Sequence, residues 1–97
     1  MPINEAGEMK GPIQSVSRAA AILRCFFSNS ELSLQEISEQ VGLHKSTTST
    51  LVTTLKNEHF LEQDPKTSKY RLGMTAFLLG ANSNINLSTI AQPFLVS

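Results

Sequence analysis

The sequence predicts a mainly α-helical fold with one small β-hairpin. Three features within residues 32–72 indicate it: two amphipathic segments, the short turn Gly42-Leu43-His44 between them, and two strand-like segments around a turn-rich loop. Two helices joined by a tight turn and followed by a hairpin form a winged helix-turn-helix. We therefore expect a three-helix core, a hairpin wing and a further C-terminal linker helix.

The composition fits one small folded domain. Of 97 residues, 40% are hydrophobic and 16% are charged, which argues against disorder throughout. Eight basic and eight acidic residues give zero net charge, whereas nucleic-acid-binding domains usually carry an excess of lysine and arginine. Residues 41–57 nevertheless contain two lysines and no acid, so one face can be basic while the chain is neutral. A core this small would gain from dimerisation.

The same inventory argues against several classes of site. One cysteine and two histidines make neither a disulfide nor a metal-ligand pattern, and no combination of nucleophile, acid and base suggests catalysis. No apolar run approaches the ~20 residues of a membrane span, and the first residues lack the pattern of a signal peptide. We expect no cofactor, no metal, no enzymatic activity, no membrane association and a cytoplasmic location.

The N-terminal part is predicted to be an arm followed by one helix. Residues 1–14 contain prolines and glycines without apolar periodicity, as in a flexible arm. A helix is expected from position 15 or 17 to position 27. The apolar stripe expected to face the core is Val16, Ala20, Leu23 and Phe27, with Ala19 and Phe26 beside it.

The second and third helices carry start and stop signals. Ser33 and Glu36 have the spacing of a capping box, and Gly42 can adopt the left-handed conformation that ends a helix. The third helix is expected over about residues 45–58, with an exposed face rich in hydroxyl groups. Its core face is predicted to consist of Thr48, Leu51, Val52 and Leu55.

The wing is predicted from two strands at residues 60–63 and 69–72, around the turn-rich residues 64–68. Arg71 is expected to pair with Glu62 across the hairpin. The same pattern allows a very short third strand at residues 32–33.

The C-terminal part changes character after Gly73. Apolar residues predict one or two further helical turns, so the winged domain is expected to occupy residues 15–81. Residues 82–97 are interpreted as a linker that leads into a domain that this chain does not contain.

The exposed face of the third helix is the main candidate for DNA contact. A helix in the major groove reads base edges with side chains of its N-terminal half. The hydroxyl side chains there are those of Ser46, Thr47, Ser49, Thr50 and Thr53. Hydroxyls bond to phosphates or several bases, and threonine methyls can contact a thymine methyl, so DNA shape and water would carry part of the specificity. The alternative is that these residues only cover a solvated helix.

Five charged or titratable residues complete the candidate interface. Lys45 stands at the start of the third helix, and Lys66 and Lys69 lie in the wing; each could contact a phosphate or simply be solvated. Arg18 on the first helix could contact a phosphate or brace the fold through a carboxylate. His44 occupies the cap position of the third helix, as a weak cap or as a neighbour of phosphate.

Three strings of sequence together resemble a known family. They are SVSRA at residues 15–19, LSLQEISEQVGLHKSTTSTLVTTL at residues 32–55, and the YRLG that ends at Gly73. Over about residues 15–81 the chain is similar to the N-terminal winged helix of the isocitrate lyase regulator (IclR) family. The resemblance implies a bacterial or archaeal transcription regulator, either repressor or activator.

The resemblance also implies partners and contacts. Regulators of this family are dimers or tetramers that bind palindromic operators in double-stranded DNA, and a linker helix joins the winged helix to a domain that senses a small-molecule effector. Dimer contacts are implied for the first helix and the linker, and backbone contacts for the wing. DNA contacts are implied for Lys45, Ser46, Thr47, Ser49 and Thr50.

Three features depart from the family pattern. The family often has arginine where Thr50 stands, and serine or proline where His44 stands. Its glycine-containing wing turn is replaced here by residues 66–69. An arginine that reads a base is worth about 1–3 kcal/mol, so one domain of this chain would bind weakly and operator binding would depend on dimerisation.

Sequence-specific DNA binding as a dimer is the leading interpretation. A second is a winged-helix module for protein–protein interaction or dimerisation without DNA binding, which zero net charge and a hydroxyl-rich helix permit. A third is a fragment of an enzyme whose active site lies outside this chain. Salt dependence separates the first two, because phosphate contacts weaken steeply with salt.

Overall fold

A computed structural model describes residues 13–83 of the chain. Its elements in order are α1 (Gln14–Arg24), extended by a 3-10 turn (Cys25–Phe27), α2 (Leu34–Val41), α3 (Lys45–Asn57), β1 (Leu61–Gln63), β2 (Tyr70–Leu72) and α4 (Met74–Ala81). The predicted fold class is confirmed: three helices form the core, a hairpin follows them, and a fourth helix leads away. The predicted arm and linker lie outside the described residues, apart from two positions at each inner end.

The core lies between the first three helices and β1. Its buried apolar residues are Ile22, Phe26, Leu32, Ile37, Val52, Leu55 and Leu61. Thr48 is also fully buried, as predicted, and its hydroxyl donates to the carbonyl oxygen of His44 at 3.0 Å. A polar side chain is tolerated there because its hydrogen bond is made within the helix.

The predicted apolar stripe of α1 is wrong by about one residue around the helix. Val16 is 64% exposed and Phe27 is 68% exposed, whereas Ile22 and Phe26 are buried. Apolar residues occupy two neighbouring sides of α1, so periodicity alone does not select the buried side. Packing against α2 and α3 selects it.

The helix-turn-helix is fixed by hydrogen bonds that the sequence predicts. The Ser33 hydroxyl accepts from the Glu36 amide at 3.1 Å, and the Glu36 carboxylate accepts from the Ser33 amide at 2.8 Å. Gly42 ends α2 with φ of 70°, in the left-handed region that glycine adopts without strain. The Ser38 hydroxyl then donates to the Leu43 carbonyl at 2.6 Å and holds the turn into α3.

The hairpin is antiparallel and pairs Leu61 with Leu72 and Gln63 with Tyr70. The possible third strand is reduced to a single bridge, in which Leu32 and Tyr70 exchange two backbone hydrogen bonds of 3.0 and 2.7 Å. This bridge attaches the wing to the segment before α2. Among residues 13–83, no helix is long and apolar enough to cross a lipid bilayer.

Candidate nucleic-acid interface

The outer side of α3 carries the predicted hydroxyl residues. Val52 and Leu55 bury the inner side of the helix, and Leu51, predicted to face the core, is only partly buried. On the outer side, Lys45, Ser46, Thr50 and Thr53 are exposed, while Thr47 and Ser49 are partly exposed. The fold therefore presents these side chains at the surface.

Most of these hydroxyls are not used by the fold. Within residues 13–83, the side chains of Ser46, Thr47, Ser49 and Thr53 make no hydrogen bond. The Thr50 hydroxyl donates to the Ser46 carbonyl at 3.1 Å. In that rotamer Thr50 offers a ligand its lone pairs and its methyl group, rather than a proton.

The start of α3 is left without a side-chain cap. The His44 side chain makes no capping hydrogen bond, so the alternative that His44 caps the helix is wrong. The first intrahelical bond of the new helix is donated by the Thr48 amide to the His44 carbonyl at 2.9 Å. The three preceding amides point out of the helix start, and no acidic residue occupies the first turn. Together with Lys45 they create a positive potential at this end.

Arg18 lies beside the outer side of α3. With Gln14 and Ser15 of α1 it forms one wall of a groove of about 350 Å³, and Thr47, Thr50 and Leu51 form the other. Arg18 is half-buried and makes no ion pair within residues 13–83. The alternative in which it braces the fold through a carboxylate is therefore not seen in this part of the chain.

A second groove, of about 410 Å³, lies on the other flank of α3. Lys45 faces the wing residues Thr67 and Ser68 across it, with Gln35 at the start of α2 and Gln63 at the end of β1. The N-terminal half of α3 thus lies between the Arg18 groove on one flank and the wing groove on the other. Lys66 and Lys69 are exposed and have no ion pair in the described part of the chain.

Asp64 organises the wing turn, a role that the sequence analysis missed. Its carboxylate accepts from the Lys66 amide at 2.7 Å and from the Thr67 amide at 3.3 Å. These two bonds, the first above all, and the nearby Arg71 guanidinium lower the pKa of Asp64. An aspartate followed by proline in a turn is a recognised signal for such bonding, so the sequence contained the clue.

Arg71 pairs with Glu62 as predicted, with Nε and Oε1 2.6 Å apart. Two further carboxylates were not predicted: Asp64 lies 3.5 Å and Glu31 3.6 Å from Nη1. The hydrogen bond and charge of Glu62 do most to raise the pKa of Arg71. Arg71 is therefore engaged within the fold and differs from Arg18, which forms no ion pair with residues 13–83.

Comparison with known proteins agrees with this geometry. A family model described as the IclR helix-turn-helix domain matches residues 15–65. The transcriptional regulator XynR of Escherichia coli (strain K12) is 46% identical over 63 residues, which cover 64% of this chain and 25% of that protein. The acetate operon repressor of Salmonella typhimurium is 31% identical over 97 residues, covering 97% of this chain and 35% of that protein.

The fold is also shared with solved structures. An IclR transcriptional regulator from Alicyclobacillus acidocaldarius superposes with a TM-score of 0.70 and 33% identity, over 73% of this chain and 29% of that chain. The chain spans only about a quarter to a third of the length of these relatives. Because the family match, the sequence identities and the winged fold all coincide on the same residues, the chain belongs to the IclR helix-turn-helix family.

Proposed function

We propose that this chain binds double-stranded DNA sequence-specifically and is the DNA-binding part of a transcription regulator. The observation that carries the proposal is the position of the α3 start. It is uncapped, it displays unused hydroxyl groups, and it lies between a groove that contains Arg18 and a groove that contains Lys45 and the wing turn. A helix with a groove on each side that can receive the DNA sugar–phosphate backbone suits entry into the major groove.

The proposed roles follow from charge and position. Lys45, Arg18 and the wing residues Lys66 and Lys69 neutralise phosphates, with His44 beside the same backbone. Free amides at a helix start suit an anionic oxygen. Base edges are met by the hydroxyl residues Ser46, Thr47, Ser49, Thr50 and Thr53. Hydroxyls discriminate weakly between bases, so groove shape and bridging water contribute to specificity.

The proposed assembly is a homodimer, or a higher homo-oligomer, on a palindromic operator. The names of the relatives describe regulators and repressors. A dimer would double the number of phosphate contacts and offset the small charge of one domain. Response to a small-molecule effector would require residues outside this chain.

Salt dependence tests the proposal directly. Affinity for a duplex is measured by fluorescence anisotropy between 50 and 200 mM salt, a range chosen because phosphate contacts change affinity strongly over it. We expect log Kd to rise linearly with log salt, with a slope of about 0.9 for each phosphate contacted. Affinity that is flat over this range contradicts the proposal.

Alanine variants separate positioning contacts from reading contacts. Lys45→Ala should weaken binding to every duplex about equally and reduce the salt slope by about 1. Thr50→Ala and Ser49→Ala should change the ranking of competing duplexes, because their side chains face the bases. Ser30→Ala, at an exposed position away from α3 in the sequence, is the matched control. If Thr50→Ala and Ser49→Ala rank duplexes as the wild type does, the assignment is refuted.

One observation favours the alternative of a protein-interaction module. α4 exposes a run of apolar side chains: Met74, Phe77, Leu78 and Leu79 are each more than half exposed. Such a surface is typical of association sites. An apolar surface on α4 is compatible with DNA binding by a dimer. If DNA affinity does not depend on salt, protein–protein interaction through this surface becomes the main proposed function.

A further inference from the structure

The wing turn, residues 64–69, is organised around one residue, Asp64. The Asp64 amide donates to the Lys69 carbonyl at 2.8 Å, and the Ser68 amide donates to the Asp64 carbonyl at 2.8 Å. The side chain of Asp64 adds the bonds from the Lys66 and Thr67 amides. Because Asp64 receives or makes every one of these bonds, its position sets the shape of the whole turn.

Arg71 connects this carboxylate to the rest of the protein. Its guanidinium lies within 3.6 Å of Asp64 in the wing turn, Glu62 in β1 and Glu31 before α2. The backbone bridge between Leu32 and Tyr70 joins the same two regions one residue away. Arg71 therefore stands where the wing meets the helix-turn-helix.

The turn is also held on its other side. Gln63 donates to the Ser68 carbonyl at 3.0 Å and accepts from Lys56 of α3 at 3.1 Å. Ser68 has φ of 63°, in the left-handed region, a conformation that costs free energy for a residue with a side chain. Contacts on both sides thus keep Ser68 in a conformation that serine alone does not favour.

We propose that Arg71 is a positioning residue, which sets the wing turn through Asp64 so that the turn meets the DNA backbone; this inference rests on the proposed function. A guanidinium is a rigid fork that can engage several carboxylates in fixed directions. Without it, the negative charges of Glu31, Glu62 and Asp64 repel one another, and Asp64 is released from the base of the wing. Lys66 and Thr67 would then lose their fixed placement.

The energetics fit a local role. Ion pairs between side chains that are 25–50% exposed contribute little to global stability. Loss of Arg71 should therefore loosen the turn and leave the three-helix core folded. This separates positioning of the wing from a general effect on folding.

The first arm of the test needs no DNA. Amide hydrogen exchange of Lys66 and Thr67 is measured by NMR in the wild-type chain and in Arg71→Gln, Asp64→Asn and the double variant. We expect severalfold faster exchange in Arg71→Gln than in the wild type. In the Asp64→Asn background, Arg71→Gln should add little, because the Arg71–Asp64 ion pair is already lost. Arg24→Gln has the same charge change and should not alter these amides.

The second arm measures the salt slope of DNA binding. Arg71→Gln should reduce the slope by about 0.9 for each phosphate that the wing no longer reaches, while the ranking of duplexes set by α3 stays as in the wild type. Unchanged exchange of Lys66 and Thr67 in Arg71→Gln overturns the inference, as does an unchanged slope. If the wild type itself binds no DNA, the proposed function fails, and the exchange arm still decides whether Arg71 orders the turn.

A variant that does not fold is recognised by its thermal unfolding curve. In that case Asp64→Asn carries the test, because asparagine keeps one acceptor oxygen for both amides and replaces the charged oxygen beside Arg71 with an uncharged NH2 group. Exchange in Asp64→Asn as slow as in the wild type would then overturn the inference.

Discussion

Gly73 is the described glycine whose environment leaves the least space for a side chain. A Cβ atom added here would lie 2.5 Å from the carbonyl oxygen of His59 and 3.1 Å from the carbonyl carbon of Leu61. Its amide donates to the Phe60 carbonyl at 2.9 Å, so the chain cannot move away without losing this bond. The constraint is close backbone packing between the end of β2 and the segment that joins α3 to β1.

Gly73→Ala is expected to lower the free energy of unfolding by about 1–3 kcal/mol, the usual cost of overpacking. Gly80→Ala is the control, because nothing lies within 4 Å of a Cβ atom there. Alanine within a helix is favoured over glycine by up to about 1 kcal/mol, so this variant should be at least as stable as the wild type. Urea unfolding measures both. Equal stability of the two variants would contradict the close packing at Gly73.

Single residues also show what local sequence can reveal. Thr48 was predicted in the core because it recurs at helical spacing, and it is buried. The pairing of Arg71 with Glu31 is not predicted, because the two residues lie forty positions apart in the sequence. Pairing over such a separation depends on the finished fold, which residue types and spacing do not specify.

At the scale of elements, α2 is determined almost entirely by its own sequence. Its capping box satisfies amides at the start, and Gly42 closes its end. Both signals act within four residues, so both were predictable. The buried side of α1 is not predictable in this way, because it depends on packing against α2 and α3, which follow it in the sequence.

The same capping box makes α2 sensitive to acid. The hydrogen bond from the Ser33 amide, followed by that from the Ser33 side chain, lowers the pKa of Glu36. A lowered pKa in the folded state stabilises α2 above the ordinary pKa of glutamate, and this contribution is lost as the pH falls through the folded value. The loss therefore occurs at or below about pH 4.

We expect the protection of the α2 amides, measured relative to their intrinsic exchange rate at each pH, to fall below this pH in the wild-type chain. Glu36→Gln should remove the part of the pH dependence that comes from this residue, and Ser33→Ala should cost about 1 kcal/mol of stability at neutral pH. Gln40→Ala, at an exposed position of α2, is the control. A pH profile of α2 in Glu36→Gln that matches the wild type would rule out this role.

For the candidate site, the sequence predicts which face of α3 is exposed, but it does not predict which residues of other elements lie beside that face. The hydroxyl face of α3 follows from helical periodicity, and the exposed residues lie where periodicity puts them. The meeting of Arg18 with Thr50, and of Lys45 with the wing turn, joins elements that are separate in sequence. Their DNA contacts stay predictions.

At the scale of the whole molecule, the exposed apolar surface of α4 and the cationic side chains around the start of α3 lie on different elements. The exposed apolar residues of α4 lie after the wing, and an apolar groove of about 340 Å³ runs between α1 and α4, with Phe27, Leu72 and Ala76 among its lining residues. Arg18, Lys45 and the wing lysines Lys66 and Lys69 belong instead to the side of the N-terminal half of α3. Association and DNA binding can therefore use different surfaces.

Self-association is expected to depend on α4. Phe77, which is 67% exposed, should be covered in the proposed dimer, so Phe77→Ser should shift the chain toward monomer in sedimentation velocity. Gln40→Ser on α2 is the control. A wild-type chain that stays monomeric at high concentration, or a Phe77→Ser chain that associates equally well, would contradict this assignment.

The bare start of α3 has a consequence for how this domain could change over time. The fold contributes no acceptor there, so the place that gains most from an incoming anion is also a weak point of the isolated protein. Selection for heat resistance would favour a side chain that caps the start of α3. Selection for regulation would favour leaving the amides there free for an anion. If the proposed function holds, heat tolerance and DNA affinity therefore depend in opposite ways on the first turn of α3.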